Sequence, residues 1–201
     1  MDIIAVTDRK NCARPLLDQV RLICSAGADM LVMREKDLPY GESLALAASL
    51  MEICDGCGIE FCLDGDPRIA ENLGIETVWM PFHSMEKKSR FRTIVSVHSF
   101  EEGIQASENG ADAVVFGNVF ETSCKPGKAA MGLGTVKRLA SELGIPIWAI
   151  GGIGAGNIRA VSESGASGAC LMSGLMAAED PEEIISACRK ECQSRRPMQY
   201  T

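Results

Sequence analysis

Six stretches of this chain place side chains able to manage an anion or a proton where an apolar run stops. Arg34-Glu35-Lys36 follows Met30-Leu31-Val32-Met33, so two cations stand where a phosphate or carboxylate could be held, with an ion pair to Glu35 as the structural alternative. His98 sits in Ser96-Val97-His98-Ser99; an imidazole changes charge near neutrality and is a natural proton carrier. The second histidine, His83, lies in Pro81-Phe82-His83-Ser84 and is the lesser candidate. The segment from Phe116 to Gly127 is too long for a simple strand-to-helix turn, and loops of that length in compact domains commonly carry function. Within it Thr122, Ser123 and the Lys125 ammonium suit an anion, and Glu121 could exchange a proton if desolvated. Asn118 in the same segment can orient a group but cannot act as a base at neutral pH.

The two remaining stretches predict what kind of anion is bound. The apolar run Ile145 to Ile150 breaks into Gly151-Gly152-Ile153, and the run Ala169 to Met172 ends in Ser173-Gly174. Glycines without a Cβ let backbone N–H groups close on an oxyanion, and a helix opening at Ser173 adds its positive dipole end. Gly151, Gly152, Met172 and Ser173 are therefore expected to form a phosphate cup, of the kind found after strands 7 and 8 of a barrel.

Such residues must be presented by a regular scaffold. Short Val-, Ile- and Ala-rich runs recur near Ile3 to Thr7, Met30 to Arg34, Glu60 to Leu63, Thr77 to Met80, Thr93 to Val97, Ala113 to Phe116, Ile147 to Ile150 and Gly168 to Leu171. Amphipathic stretches lie between them, for example Pro15 to Ser25 and Ser43 to Cys54, which is the pattern of parallel strands joined by crossover helices. The triplets Gly27-Ala28-Asp29, Gly110-Ala111-Asp112 and Gly165-Ala166-Ser167 each precede a strand, as helix C-caps would. An open doubly wound sheet has the same periodicity, but Thr7-Asp8-Arg9-Lys10 stands where a dinucleotide fold would carry its glycine fingerprint. The expected fold is a single (β/α)8 TIM barrel spanning residues 1–201, with a polar C-terminal tail from about residue 194.

Composition narrows the function classes. The 20 basic and 27 acidic residues give a net charge of -7 with no long Lys/Arg block, which argues against a nucleic-acid partner or a membrane surface. The start, Met1-Asp2-Ile3-Ile4-Ala5-Val6, has no signal-peptide pattern, and a cytoplasmic protein is expected. Nine cysteines are present, but Cys54-Asp55-Gly56-Cys57 lacks a second pair or a His cluster, so the cysteines read as small core residues and neither a disulfide framework nor a metal site is expected. Barrels of this kind often pair through outer helices, so a homo-oligomer is possible.

Taken together, the chain resembles the thiamin phosphate synthase superfamily, and within it the TenI-type proteins. The matching pieces are Val6-Thr7-Asp8, Arg34-Glu35-Lys36, Ser96-Val97-His98-Ser99-Phe100-Glu101-Glu102, Phe116 to Thr122 with Lys125-Pro126-Gly127, Ala149-Ile150-Gly151-Gly152-Ile153 and Met172-Ser173-Gly174. The resemblance implies a barrel binding a thiazole phosphate, with Gly152 and Ser173 on the phosphate. Two activities compete within the superfamily. The transferase joins a pyrimidine pyrophosphate to the thiazole phosphate with loss of pyrophosphate, assisted by Mg²⁺, and its pattern has Asn-Asp after strand 3 and another Asp after strand 4. Here those places read Asp64-Gly65-Asp66 and Pro81-Phe82-His83-Ser84.

The missing carboxylates, with Gly65 and Pro81, resemble the TenI type and so imply a thiazole tautomerase, which moves a proton on a thiazole carboxylate phosphate and needs no cofactor. His98 is then the expected proton carrier, with Glu121 behind it, because Asn118 replaces the histidine that the resemblance places before Val-Phe-Glu-Thr. The alternatives are the transferase, for which Mg²⁺ would be required, and a non-catalytic ligand-binding regulator.

Overall fold

A parallel strand covered on one face by helices and on the other by its own barrel interior has no polar side, and each strand here is accordingly a near-continuous apolar run. The structure, a computed structural model, describes residues 1–85, 87, 89–122, 127 and 129–193. Its strands are β1 (Asp2–Val6), β2 (Met30–Met33), β3 (Glu60–Leu63), β4 (Thr77–Pro81), β5 (Arg92–Val97), β6 (Ala113–Gly117), β7 (Ile147–Ile150) and β8 (Gly168–Leu171). They are all parallel and close in sequence order, with β8 paired to β1. This is the expected (β/α)8 barrel, and each expected strand lies within a residue of its observed place at both ends.

The helices are α1 (Leu16–Ser25), α2 (Tyr40–Cys57), α3 (Pro67–Leu73), α4 (Phe100–Glu108), α5 (Gly134–Glu142), α6 (Ile158–Glu163), α7 (Ser173–Met176) and α8 (Pro181–Gln193). Among the described residues no α-helix joins β4 to β5; a single 3-10 turn, Phe82–Ser84, stands there. That omission accounts for a closed barrel in so short a chain. No helix of the described residues is long and apolar enough to cross a membrane.

Strand alternation sorts the core into two clusters. Ile4, Val6, Met30, Val32, Cys62, Trp79, Ile94, Ala113, Val115, Trp148 and Cys170 fill the barrel interior. The intervening residues, such as Leu31, Met33, Val95, Val97 and Phe116, pack outward against the helices. Cys62 and Cys170 are thus small apolar fillers, and burial pushes both thiols well above their ordinary range. All eight cysteines among the described residues are free.

The Gly-Ala-Asp triplets do more than end helices. Asp29 N donates to Ile3 O at 2.9 Å while its carboxylate accepts from Ile3 N at 2.7 Å. Asp112 makes the same reciprocal pair with Thr93, at 2.9 and 2.7 Å. Each aspartate therefore satisfies the N–H of the second residue of the neighbouring strand, a donor near the barrel floor. The expected polar tail from residue 194 lies outside the described residues.

Candidate active site at the barrel mouth

The C-terminal ends of the strands enclose a cavity of about 290 Å³. One side of it is cationic. Alternation beyond β2 turns Arg34 and Lys36 toward the mouth and Glu35 away, and Asp64, beyond the neighbouring β3, rises between the two cations. Lys36 Nζ lies 2.9 Å from Asp64 Oδ1, and Arg34 Nε lies 3.3 Å from Oδ2. Glu35 is not the partner of Arg34. It pairs with Arg9, which holds it through both the main-chain N–H and Nη1 at 2.9 Å. The buried Thr7 fixes the start of this loop, its hydroxyl accepting from Arg34 N at 2.8 Å.

The same cavity is lined by a turn of glycines and a helix start. Gly151 and Gly152 have φ of 106° and 66°, conformations that L side chains rarely adopt. They also lie beneath the segment after β6, because a Cβ on Gly151 would overlap Asn118 and one on Gly152 would overlap the carbonyl oxygen of Glu121. The segment is tied down by Val119 N to Ile150 O at 2.9 Å and Phe120 N to Gly151 O at 3.1 Å. Asn157 staples the other end of the turn, its Oδ1 accepting from Gly154 N at 2.9 Å and its Nδ2 donating to Gly152 O at 2.8 Å.

Ser173 and Gly174 line the same cavity, as does Met172. Their N–H groups precede the first turn of α7, whose Leu175 N donates to Met172 O at 3.1 Å. So short a helix needs an anchor, and it has one in the buried Gln19. That side chain donates to Leu175 O at 2.7 Å and Ala178 O at 2.9 Å, while Arg14 donates to its oxygen at 2.9 Å.

His98 and Asn118 also line the cavity. His98 Nδ1 lies 2.8 Å from Gly117 O, a geometry in which Nδ1 carries the proton and Nε2 is left as the second ring nitrogen. Its main-chain N–H donates to Glu102 at 2.7 Å, and Ser99 caps α4 by accepting from Glu102 N at 3.0 Å. Part of the Ser-Phe-Glu-Glu motif is therefore a variant capping box. Asn118 is buried and its Nδ2 donates to Phe120 O at 3.2 Å, so its amide braces the loop.

Of the remaining expected residues, Thr122 lines the cavity, whereas Glu121 is exposed and is absent from the cavity lining. His83 is likewise exposed and absent from that lining. Lys125 and Ser123 lie outside the described residues. Trp79 and Ser96 were not among the expected site residues although both line the cavity; Trp79 Nε1 donates to Ser96 Oγ at 2.6 Å. Their inward phase on β4 and β5 was the signal.

Residues 3–175 match the model of the family described as thiamine monophosphate synthase. This chain belongs to that family. Thiamine-phosphate synthase of Thermus thermophilus is 33% identical over 180 residues, covering 87% of both chains. The Pyrococcus furiosus protein of the same name is 29% identical over 196 residues, covering 94% of both. The solved structure of thiamine phosphate pyrophosphorylase from Pyrococcus furiosus superposes with a TM-score of 0.85 at 27% identity, over 96% of this chain and 95% of that one.

These relatives correct the tautomerase expectation, since what they carry is the name of the synthase. The absent carboxylates had suggested chemistry other than transfer, but the mouth carries two cations, Arg34 and Lys36, held around Asp64.

The magnesium site implied by the resemblance is a separate matter, and the donor set does not fit it. Among the described residues lining the cavity, Asp64 is the one carboxylate, with Pro81 at the end of β4. No three described His, Cys, Asp or Glu side chains cluster so as to hold a metal ion. Both Asp64 oxygens already face cations, and at an effective dielectric of about 20 each such charge opposes a nearby third cation by several kcal/mol. Burial also pushes the Asp64 carboxyl above its ordinary range, offset only in part by Lys36 and Arg34.

Proposed function

We propose that this chain is a thiamine-phosphate synthase, joining a pyrimidine pyrophosphate to a thiazole phosphate with release of pyrophosphate. The observation that carries this reading is that one cavity is lined by two poles suited to an anion, Arg34 with Lys36 and the glycine turn with Ser173. One phosphorylated substrate needs one pole. Two substrates, each bearing phosphate, need two.

The thiazole phosphate occupies the cup of Gly151, Gly152, Met172 and Ser173, where main-chain N–H groups meet its oxygens. The pyrophosphate of the partner substrate lies against Arg34 and Lys36, with Thr122 on the same cavity wall. Holding both substrates in one cavity turns their meeting into a unimolecular event. When the bond to pyrophosphate breaks, the leaving group takes the bonding pair and gains negative charge, and fixed cations stabilise that charge most as it develops. No proton need be carried to or from carbon, so His98 and Asn118 serve as hydrogen-bonding walls between the substrates and Glu121 has no part in the chemistry.

The test is steady-state release of pyrophosphate from the purified protein given both substrates. Release that requires both the pyrimidine pyrophosphate and the thiazole phosphate supports the reading. No release with both present overturns it.

A further inference from the structure

Asp64 has no obvious reason to be where it is. A carboxylate beside a pyrophosphate subsite repels the ligand, and this one is buried, which costs still more. Its contacts suggest its use. One oxygen takes one of the three Lys36 N–H donors, and the other faces Arg34 at Nε, so the two Nη groups of the guanidinium have no part in that contact. Arg34 and Lys36 are each about half exposed, at 46% and 50%, and long cationic side chains so placed would sample many rotamers without an anchor. With the anchor, two cations are held around one anion, and the group as a whole keeps a net positive charge toward the cavity.

The anchor is itself rigidly placed. Asp64 N donates to Met33 O at 2.9 Å, and Arg34 N donates to Thr7 Oγ1 at 2.8 Å, so both partners are pinned at their main chain by neighbouring strands. The same contacts occupy the carboxylate that a divalent ion would need, and the neighbouring positions, Gly65 and Pro81, bring no second one.

We propose that Asp64 is a positioning residue that aims Arg34 and Lys36, and that this pair holds the pyrophosphate group directly, with no resident divalent ion between protein and ligand. The inference deepens the transferase reading and rests on it for the identity of the anion. Magnesium then acts on the free ligand alone, where it competes for the same oxygens.

Binding of inorganic pyrophosphate, measured by calorimetry in EDTA and again in Mg²⁺, tests this without turnover. The wild-type protein should bind in EDTA, and Mg²⁺ should leave the affinity unchanged or lower it. Asp64→Asn should weaken binding about tenfold in EDTA and by the same factor in Mg²⁺, from freed Lys and Arg rotamers. Asp64→Glu, which restores the charge, should recover part of that loss. Variants that melt no lower than wild type separate aim from folding. Wild-type binding that is tighter in Mg²⁺, or an Asp64→Asn protein that binds as well as wild type in EDTA, overturns the proposal. If pyrophosphate binds as stated while the two-substrate assay yields nothing in either buffer, the transferase reading fails and the cation clamp stands.

Discussion

The carbonyl oxygen of Glu121 lies against the Cα of Gly152 so closely that no Cβ fits between them. A glycine that looks like a phosphate contact in the sequence is thus also required by the loop that crosses it. Gly152→Ala combines that overlap with a φ of 66°, and should cost about 2 kcal/mol or more in denaturant unfolding. Thiazole phosphate affinity should fall with it. Gly154→Ala is the control, because nothing lies within 4 Å of its added methyl, and should change stability by no more than about 0.5 kcal/mol. Equal losses for the two variants would contradict this account of the turn.

Asn157 holds that turn by two hydrogen bonds, to Gly154 N and Gly152 O. Asn157→Ala should raise the KM for thiazole phosphate about tenfold, the scale of one to two lost hydrogen bonds, with a smaller effect on kcat. Steady-state kinetics with the thiazole substrate varied reads this directly. A fall in kcat with KM unchanged would place Asn157 in the chemical step instead.

The strands were legible because burial on both faces leaves an apolar signal that loops cannot imitate, and because the Gly-Ala-Asp and Gly-Ala-Ser triplets mark where β2, β6 and β8 begin. The pairings of the site were not. Arg34 and Glu35 are neighbours in sequence but point to opposite sides, so Glu35 goes to Arg9 and Arg34 to Asp64. Both partners are contributed by adjacent strands, which local sequence cannot register. Gln19 was hidden for a similar reason, since its amide serves the carbonyls of Leu175 and Ala178, more than 150 residues away. The missing carboxylates pointed away from transfer because local sequence does not display that Arg34 and Lys36 gather around Asp64 at the mouth.

Asp64 carries a pH signature with a definite sign. Burial raises its folded-state pKa above the unfolded value, so the native state binds the proton more tightly and stability falls as pH rises through the folded pKa. Above that point the ionised carboxylate is a net cost. Asp64→Asn should therefore raise Tm at pH 7, and the gain should shrink as pH is lowered toward 4. Thermal melts of both proteins at the two pH values check this, and a lower Tm for the variant at pH 7 would contradict it.

Thiol reactivity should follow burial. Cys57 at the end of α2 is exposed, whereas Cys62 and Cys170 are enclosed in the barrel with their thiols pushed far up. Brief treatment with iodoacetamide at neutral pH, mapped by mass spectrometry, should label Cys57 while sparing Cys62 and Cys170 until denaturant is added. Early labelling of either interior cysteine would mean that the barrel interior opens in the native state.

The central claim is that two poles of one cavity bring two phosphorylated substrates together for transfer. Its most direct test is to mix the protein with the pyrimidine pyrophosphate and thiazole phosphate and identify the product by mass. The account predicts thiamine phosphate and pyrophosphate in equal amounts, with both lost in Arg34→Met and neither formed when one substrate is left out. Intact substrates after prolonged incubation with active-site concentrations of folded protein would contradict it.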